Sequence, residues 1–396
     1  MKRATAPMTR DAFLDYLRGF AMVWVVLVHV FYHKDFFPYA TLKSFILFEM
    51  PLIFFISGAS LLQSHRRDPS WRRFIPRRLE RLLVPYALLG LFSIALFYGA
   101  AIAQGQPVDS GQLLSWLVLF PVDTAVPYIG WYMWFMRVML VVSILHLPLV
   151  RAFEHKRLSW IVPMLLIGLL VLFSVYGRDP LGLPQLTVFY SIFLYWGYAY
   201  GGGGVWRNRY VQMAGILGGA ALLLAMLLAG IFPVDMQANK FPPNLAYGVF
   251  GFAWLMVFLL GRNKIGGLME RFHPARRFLL FFGEHSYAVY LWHGVGFWLI
   301  DRALVLSGVN DAVVRAPDVL PMLLYFLVNL PLTALLALTA ERLTSFLTSS
   351  VRRALGRWMA TAVPTPLPEA SGAPVPVHIG RKARPQGRGN RVTPKR

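Results

Sequence analysis

With 396 residues, 57% apolar and 14% charged, and a mean hydropathy of +0.54, the chain is too apolar for an ordinary soluble domain. Its net charge of +21 does not mark a nucleic-acid binder, because the lysines and arginines gather in short stretches between apolar runs, as membrane topology requires. Cysteine is absent, which excludes disulfides and cysteine-bound metals.

In chain order, residues 1–12 read as a short basic cytoplasmic leader. The first apolar run, about 13–31, carries Arg18 within it and has no small-residue cleavage pattern behind it, so it is no cleaved signal peptide. Asp11 and Asp15 stand where first-turn acids cap a helix. A second span is expected at about 44–63, followed by the densely basic stretch 64–81 and a third span at about 82–103. The segment 104–127 has no lysine or arginine and reads as interfacial or re-entrant. Further spans are expected at about 128–150, 159–176, 186–202, 210–232, 244–261, 278–300 and 318–342, the sixth of the series being short and ending in Gly201 to Gly204. These bounds make a transmembrane domain of about 13–345 and a basic, Pro- and Gly-rich cytoplasmic tail from 346 to 396, expected to be largely disordered.

The expected architecture is therefore an all-α polytopic membrane protein with about ten transmembrane helices. Charge gives it a direction. Of the 39 lysines and arginines, Lys34, Lys43, Arg178, Lys240, Arg302 and Arg315 fall in one set of loops and Arg18 and Arg137 within spans. The rest lie in the leader, the alternate loops and the tail, which predicts both termini in the cytoplasm. Arg18 is then on the cytoplasmic side of the first span and His29 toward the far side.

A charge in hydrocarbon is expensive, so Arg18 and His29 draw attention within the first span. A helix separates them by about 16 Å along its axis and lets both look toward one cavity. The blander readings are an arginine that snorkels to the headgroups and a histidine that merely hydrogen-bonds in the bundle. Arg77, Arg78 and Arg81, before the third span, suit phosphate through charge-assisted contacts, or simply enforce topology. Arg137, about midway along the fourth span, needs a partner or a watery cavity, and Glu49 is one candidate. Near the start of the ninth span come Glu284, then Ser286, Tyr290 and His293 at offsets of four and three on one helical face. His33, one turn beyond His29, either shares its site or lies among the headgroups. Together these residues suggest a phosphate-bearing ligand held from the cytoplasm and a histidine base toward the outer half. No metal-binding cluster, phosphate-cradling loop or nucleophile elbow is evident. A transporter is the alternative, since intramembrane arginine and histidine also mark transport routes.

Four stretches resemble the acyltransferase-3 family of integral membrane O-acyltransferases. LDYLRGFAMVWVVLVH is similar to that family's opening helix with its Arg-x10-His signature at Arg18 and His29. MPLIFFISG resembles the second-helix motif, RRLERLLVP the arginine motif before the third helix, and SYAVYLWH the late-helix motif, over residues 11–345 in all. The resemblance implies an acyl-coenzyme A co-substrate, acetyl or succinyl, with no permanently bound cofactor. It implies as acceptor a hydroxyl of a carbohydrate, glycolipid or small molecule, often periplasmic, in a bacterial inner membrane. It makes His29 the catalytic base and gives Arg18 and the Arg78/Arg81 pair to coenzyme A. Many members carry an acid before the second-helix phenylalanines, where this chain has Leu52 and only Glu49 upstream. A C-terminal extracytoplasmic hydrolase-like domain is also absent from the pattern, so the membrane domain or a partner would handle the acceptor.

Overall fold

The computed structural model describes residues 11–33, 40–107, 111, 116, 129–176, 182–203, 205–308 and 319–362. It divides into two units, Met1–Thr348 and Ser349–Arg396. The second unit contributes only helical residues up to Ala362, and the expected disorder of 363–396 lies outside the described residues, as do the leader to residue 10 and most of 104–127.

All regular structure among the described residues is helical. The helices are α1 (Ala12–His33), α2 (Glu49–Arg67), α3 (Trp71–Ser93, carried on by a π-helical turn Ile94–Tyr98 and by Gly99–Ala103), α4 (Trp134–Glu154) and α5 (Leu158–Tyr176). They continue with α6 (Leu183–Gly201), α7 (Arg209–Leu228), the short α8 (Met236–Lys240), α9 (Leu245–Leu260) and α10 (Arg262–Arg271). The last three are α11 (His273–Glu284), α12 (Ser286–Leu306) and α13 (Val319–Ala362).

Seven of these are long and apolar enough to cross a membrane: α1, α3 with its continuation, α4, α5, α7, α12 and α13. Counting α9 and α10, bent by 53° at Gly261, as one span gives up to eight. Ten were expected, and the candidates among the described residues number seven or up to eight. Helices do stand at the second and sixth places, but α2 and α6 are the centre of the bundle, and buried residues such as Glu49, Gln185, Tyr190 and Tyr198 face protein there. A helix wrapped in protein does not need the uniform apolarity that lipid demands. By contrast α5 exposes Trp160, Ile161, Met164, Leu165 and Leu172, and α7 exposes Leu217, Leu224 and Leu228, as lipid-facing helices should.

Close approach of α2 to α6 follows from two glycines. A Cβ on Gly58 would collide with the Leu194 carbonyl, and one on Gly197 with that of Phe55, so the backbones touch. Gly19 does the same for α1 against α11, at the Leu279 carbonyl. The ninth expected span, 278–300, is in fact two helices. The chain breaks at His285, whose Nδ1 meets Glu341 Oε2 at 2.6 Å, and Glu284 ends up exposed. At the start of α1, Asp11 accepts from the Phe13 amide, from Tyr200 Oη at 3.0 Å and from Arg262 Nη2 at 3.2 Å, joining α1, α6 and α10.

Candidate active site

The Arg-x10-His spacing does place two different environments along α1. At the Arg18 level the helix is crowded by α2. Arg18 Nη2 donates to Ser60 Oγ at 2.6 Å and Nη1 lies 3.7 Å from Asp15 Oδ1, so the guanidinium is aimed rather than free to snorkel. From α3, half-buried Arg78 donates through Nε to Ser143 Oγ at 3.3 Å, and that hydroxyl donates to the Met139 carbonyl. Arg78 lies within electrostatic range of both Arg18 and Arg81, and of the Tyr287 hydroxyl. Tyr287 Oη donates to the Leu82 carbonyl at 2.6 Å, which ties α12 to α3 beside the guanidinium. Three arginines held close together put a concentration of positive charge at this level of the helices. Arg77 and Arg81 are exposed on α3, where a phosphate can reach them.

About three turns further along α1, the neighbours are aromatic and imidazole rings. The His29 ring lies 4.7 Å from that of His293 and 5.8 Å from Tyr132, and the Tyr132 and His293 rings are 4.4 Å apart. His29 Nδ1 is 2.8 Å from the Val25 carbonyl and His293 Nδ1 is 2.6 Å from that of Tyr290. A carbonyl only accepts, so each Nδ1 carries a proton. His293 Nε2 is buried with no hydrogen-bond partner among the described residues. Tyr290 Oη donates to the Tyr132 carbonyl, fixing the chain just before α4 against α12.

His29 faces a small recess lined also by Tyr32, Glu49, Tyr132, Trp134, Gln237, Lys240 and Tyr290. Its free volume is about 20 Å³, the room of roughly one water or hydroxyl group, and the recess is partly open. Glu49 and Lys240, 2% and 7% exposed in their side chains, form an ion pair of 2.6 Å in its wall. Lys240 reaches it because its loop is self-bonded. Asp235 caps α8 by accepting from the Gln237 amide, Asn239 Nδ2 donates to the Pro233 carbonyl at 2.6 Å, and Asn244 Nδ2 donates to Asn239 Oδ1 at 2.8 Å.

The residues singled out in the sequence thus fall into two groups. Arg18, Arg78 and Arg81 share one region, and His29, Glu49, Tyr290 and His293 share the other. Ser286 is half-buried at the first residue of α12 and does not line the recess. His33 closes α1, but its side chain lies outside the described residues. Arg137 is in the first turn of α4, since a 3-10 turn at Trp131–Met133 precedes that helix. It is not midway along a span, and it lies within electrostatic range of Tyr86. Glu49, proposed as its partner, belongs to Lys240. Sequence reasoning passed over Tyr32, Tyr132 and Lys240, the last counted only as a loop charge. His146 was missed too; it is buried in α4 with Nδ1 2.7 Å from Tyr198 Oη. No group of three or more His, Asp and Glu able to hold a metal occurs among the described residues.

The profile of a family described as an acyltransferase domain matches residues 11–339, most of the chain. No curated protein and no solved structure matches it.

Proposed function

The chain belongs to the acyltransferase-3 family, and from that premise we propose that it moves an acyl group from cytoplasmic acyl-coenzyme A to an acceptor hydroxyl, with His29 as general base. The observation that carries this reading is the placement of His29: its Nδ1 is engaged by the Val25 carbonyl, and its ring lines a recess the size of a hydroxyl, which gives Nε2 the part of the base.

The donor's phosphates suit the Arg18, Arg78 and Arg81 surface, with exposed Arg77 as a further contact. The pantetheine arm then runs along α1 and brings the thioester about 16 Å further, to the histidines. His29 Nε2 takes the proton of the acceptor hydroxyl as its oxygen attacks the thioester carbon. The C–S bond breaks, the ester forms, and the proton passes from His29 to the leaving thiolate sulfur. Transfer is direct, since no serine lines the recess among the described residues. Tyr132 and His293 keep the imidazole ring in place and exclude water around it, where contacts to the developing oxyanion are strengthened.

The acceptor class favoured is a glycan, glycolipid or other polyhydroxylated molecule on the non-cytoplasmic side of a bacterial inner membrane, and the acyl group is acetyl or succinyl. The test is transfer of label from radiolabelled acetyl-coenzyme A by the purified protein, with H29A and R18A beside the wild type. Loss of transfer in H29A and a raised donor KM in R18A are expected. Full activity in H29A overturns the base assignment, and substrate flux in liposomes without consumption of acyl-coenzyme A would favour a transporter instead.

A further inference from the structure

The recess contains two polar atoms that the reaction above does not use. Glu49 Oε1 accepts from Lys240 Nζ, but its Oε2 is buried with no hydrogen-bond partner among the described residues. The Tyr32 hydroxyl, one turn beyond His29 on α1, is likewise buried without a partner. Tyr32 lies within electrostatic range of Glu49, and both line the wall that His29 lines. A buried acceptor and a buried hydroxyl left unmatched each disfavour the empty state, and a ligand that matches both removes that penalty.

We propose that Glu49, Lys240 and Tyr32 form a subsite for a second hydroxyl of the acceptor, so that the enzyme selects diols and polyols over isolated alcohols. The idea rests on the acyl-transfer reading of His29 and extends it to the acceptor. The second hydroxyl donates to Glu49 Oε2 and accepts from Tyr32 Oη. Lys240 already neutralises the carboxylate, so the pair as a whole carries no net charge and suits a neutral donor better than a cation. An anionic group placed beside the Glu49 carboxylate is repelled by it. The recess has room for this one hydroxyl, so the reacting hydroxyl, on a neighbouring carbon, stands at its open side and is presented to His29.

The small probes trans-cyclohexane-1,2-diol and cyclohexanol differ only in the second hydroxyl. Calorimetric titration of the full-length protein in nanodiscs is expected to give about tenfold tighter binding of the diol, the worth of one charge-assisted hydrogen bond. Y32F and E49Q should each bring the ratio below about twofold. E49Q leaves Lys240 buried beside a neutral amide and could fail to fold, whereas Y32F removes only an unpartnered oxygen and is expected to melt within a few degrees of the wild type. Equal affinities in the wild type, or a ratio that survives in Y32F, overturn the subsite. Radiolabelled acetyl transfer to the same two alcohols separates this failure from that of the reaction. Transfer to both with equal KM refutes the subsite and leaves the reaction standing. Selective binding of the diol without transfer refutes the reaction and leaves the subsite standing.

Discussion

Two imidazoles face each other across 4.7 Å with both Nδ1 atoms turned onto helix carbonyls. That arrangement comes from helix geometry, since a histidine can reach back to the carbonyl four residues earlier, as His29 does to Val25, or three earlier, as His293 does to Tyr290. The consequence is that each ring holds its Nδ1 proton on a carbonyl, and the proposed chemistry falls to Nε2 of His29. H29Q retains a polar side chain but removes the base, and kcat should fall by about 10²–10⁴ in the radiolabel assay. Donor KM should stay near the wild-type value, because the arginines lie about three turns away. Arg78 behaves in the opposite way. Its Nε contact to Ser143 orients the guanidinium, so R78K, which keeps the charge but loses the fork, should raise the KM for acetyl-coenzyme A about tenfold with a smaller change in kcat. A kcat loss alone in R78K would place Arg78 outside donor binding.

Among the elements, α1 carries Arg18 and His29, and α2, α6 and α11 decide where it lies. Gly19, beside Arg18, lets α1 reach the backbone of α11, and Gly58 and Gly197 bring α2 and α6 into backbone contact. No side chain can be accommodated there without moving a helix. G58V is therefore expected to cost about 1–3 kcal/mol or more, seen as a lower melting temperature in detergent, while G218V, at an open position on α7, should leave it nearly unchanged. Equal melting of the two variants would mean that the α2–α6 contact contributes little. Much of this was legible in the sequence. Helices stand at every place the apolar runs indicated, because hydrocarbon leaves the backbone few alternatives to a helix. The break at His285 was not read from the sequence, since the apolar pattern resumes at once after the short polar stretch Glu284–Ser286, and the contact of His285 with Glu341 on α13 shows only in the fold. The start of α4 was misread for a similar reason, as Tyr132 and Trp134 look equally apolar in a 3-10 turn and in a helix.

For the whole molecule, the basic stretches predict a cytoplasmic end that holds Arg18, Arg78 and Arg81 and an opposite end that holds the α8 loop. The chain contains no cysteine, so single cysteines can report on sides without background. R73C, at an exposed position on α3, should react with a membrane-impermeant maleimide only from the cytoplasmic face, and I231C, exposed between α7 and α8, only from the other. Labelling of both from one side would break the proposed path from donor to acceptor.

The sequence by itself determined that the chain is a helical membrane protein of the acyltransferase-3 family, with Arg18 and His29 on one helix. Those conclusions depend on local properties: runs of apolar residues, the placement of charge and motifs that span a few turns. Only the tertiary structure decided who meets whom. Lys240 finds Glu49 across 191 positions of sequence, His293 finds His29, and Tyr132 closes between them. Such meetings depend on how glycine-lined helices pack and where self-bonded loops end. No periodicity along one segment carries that information.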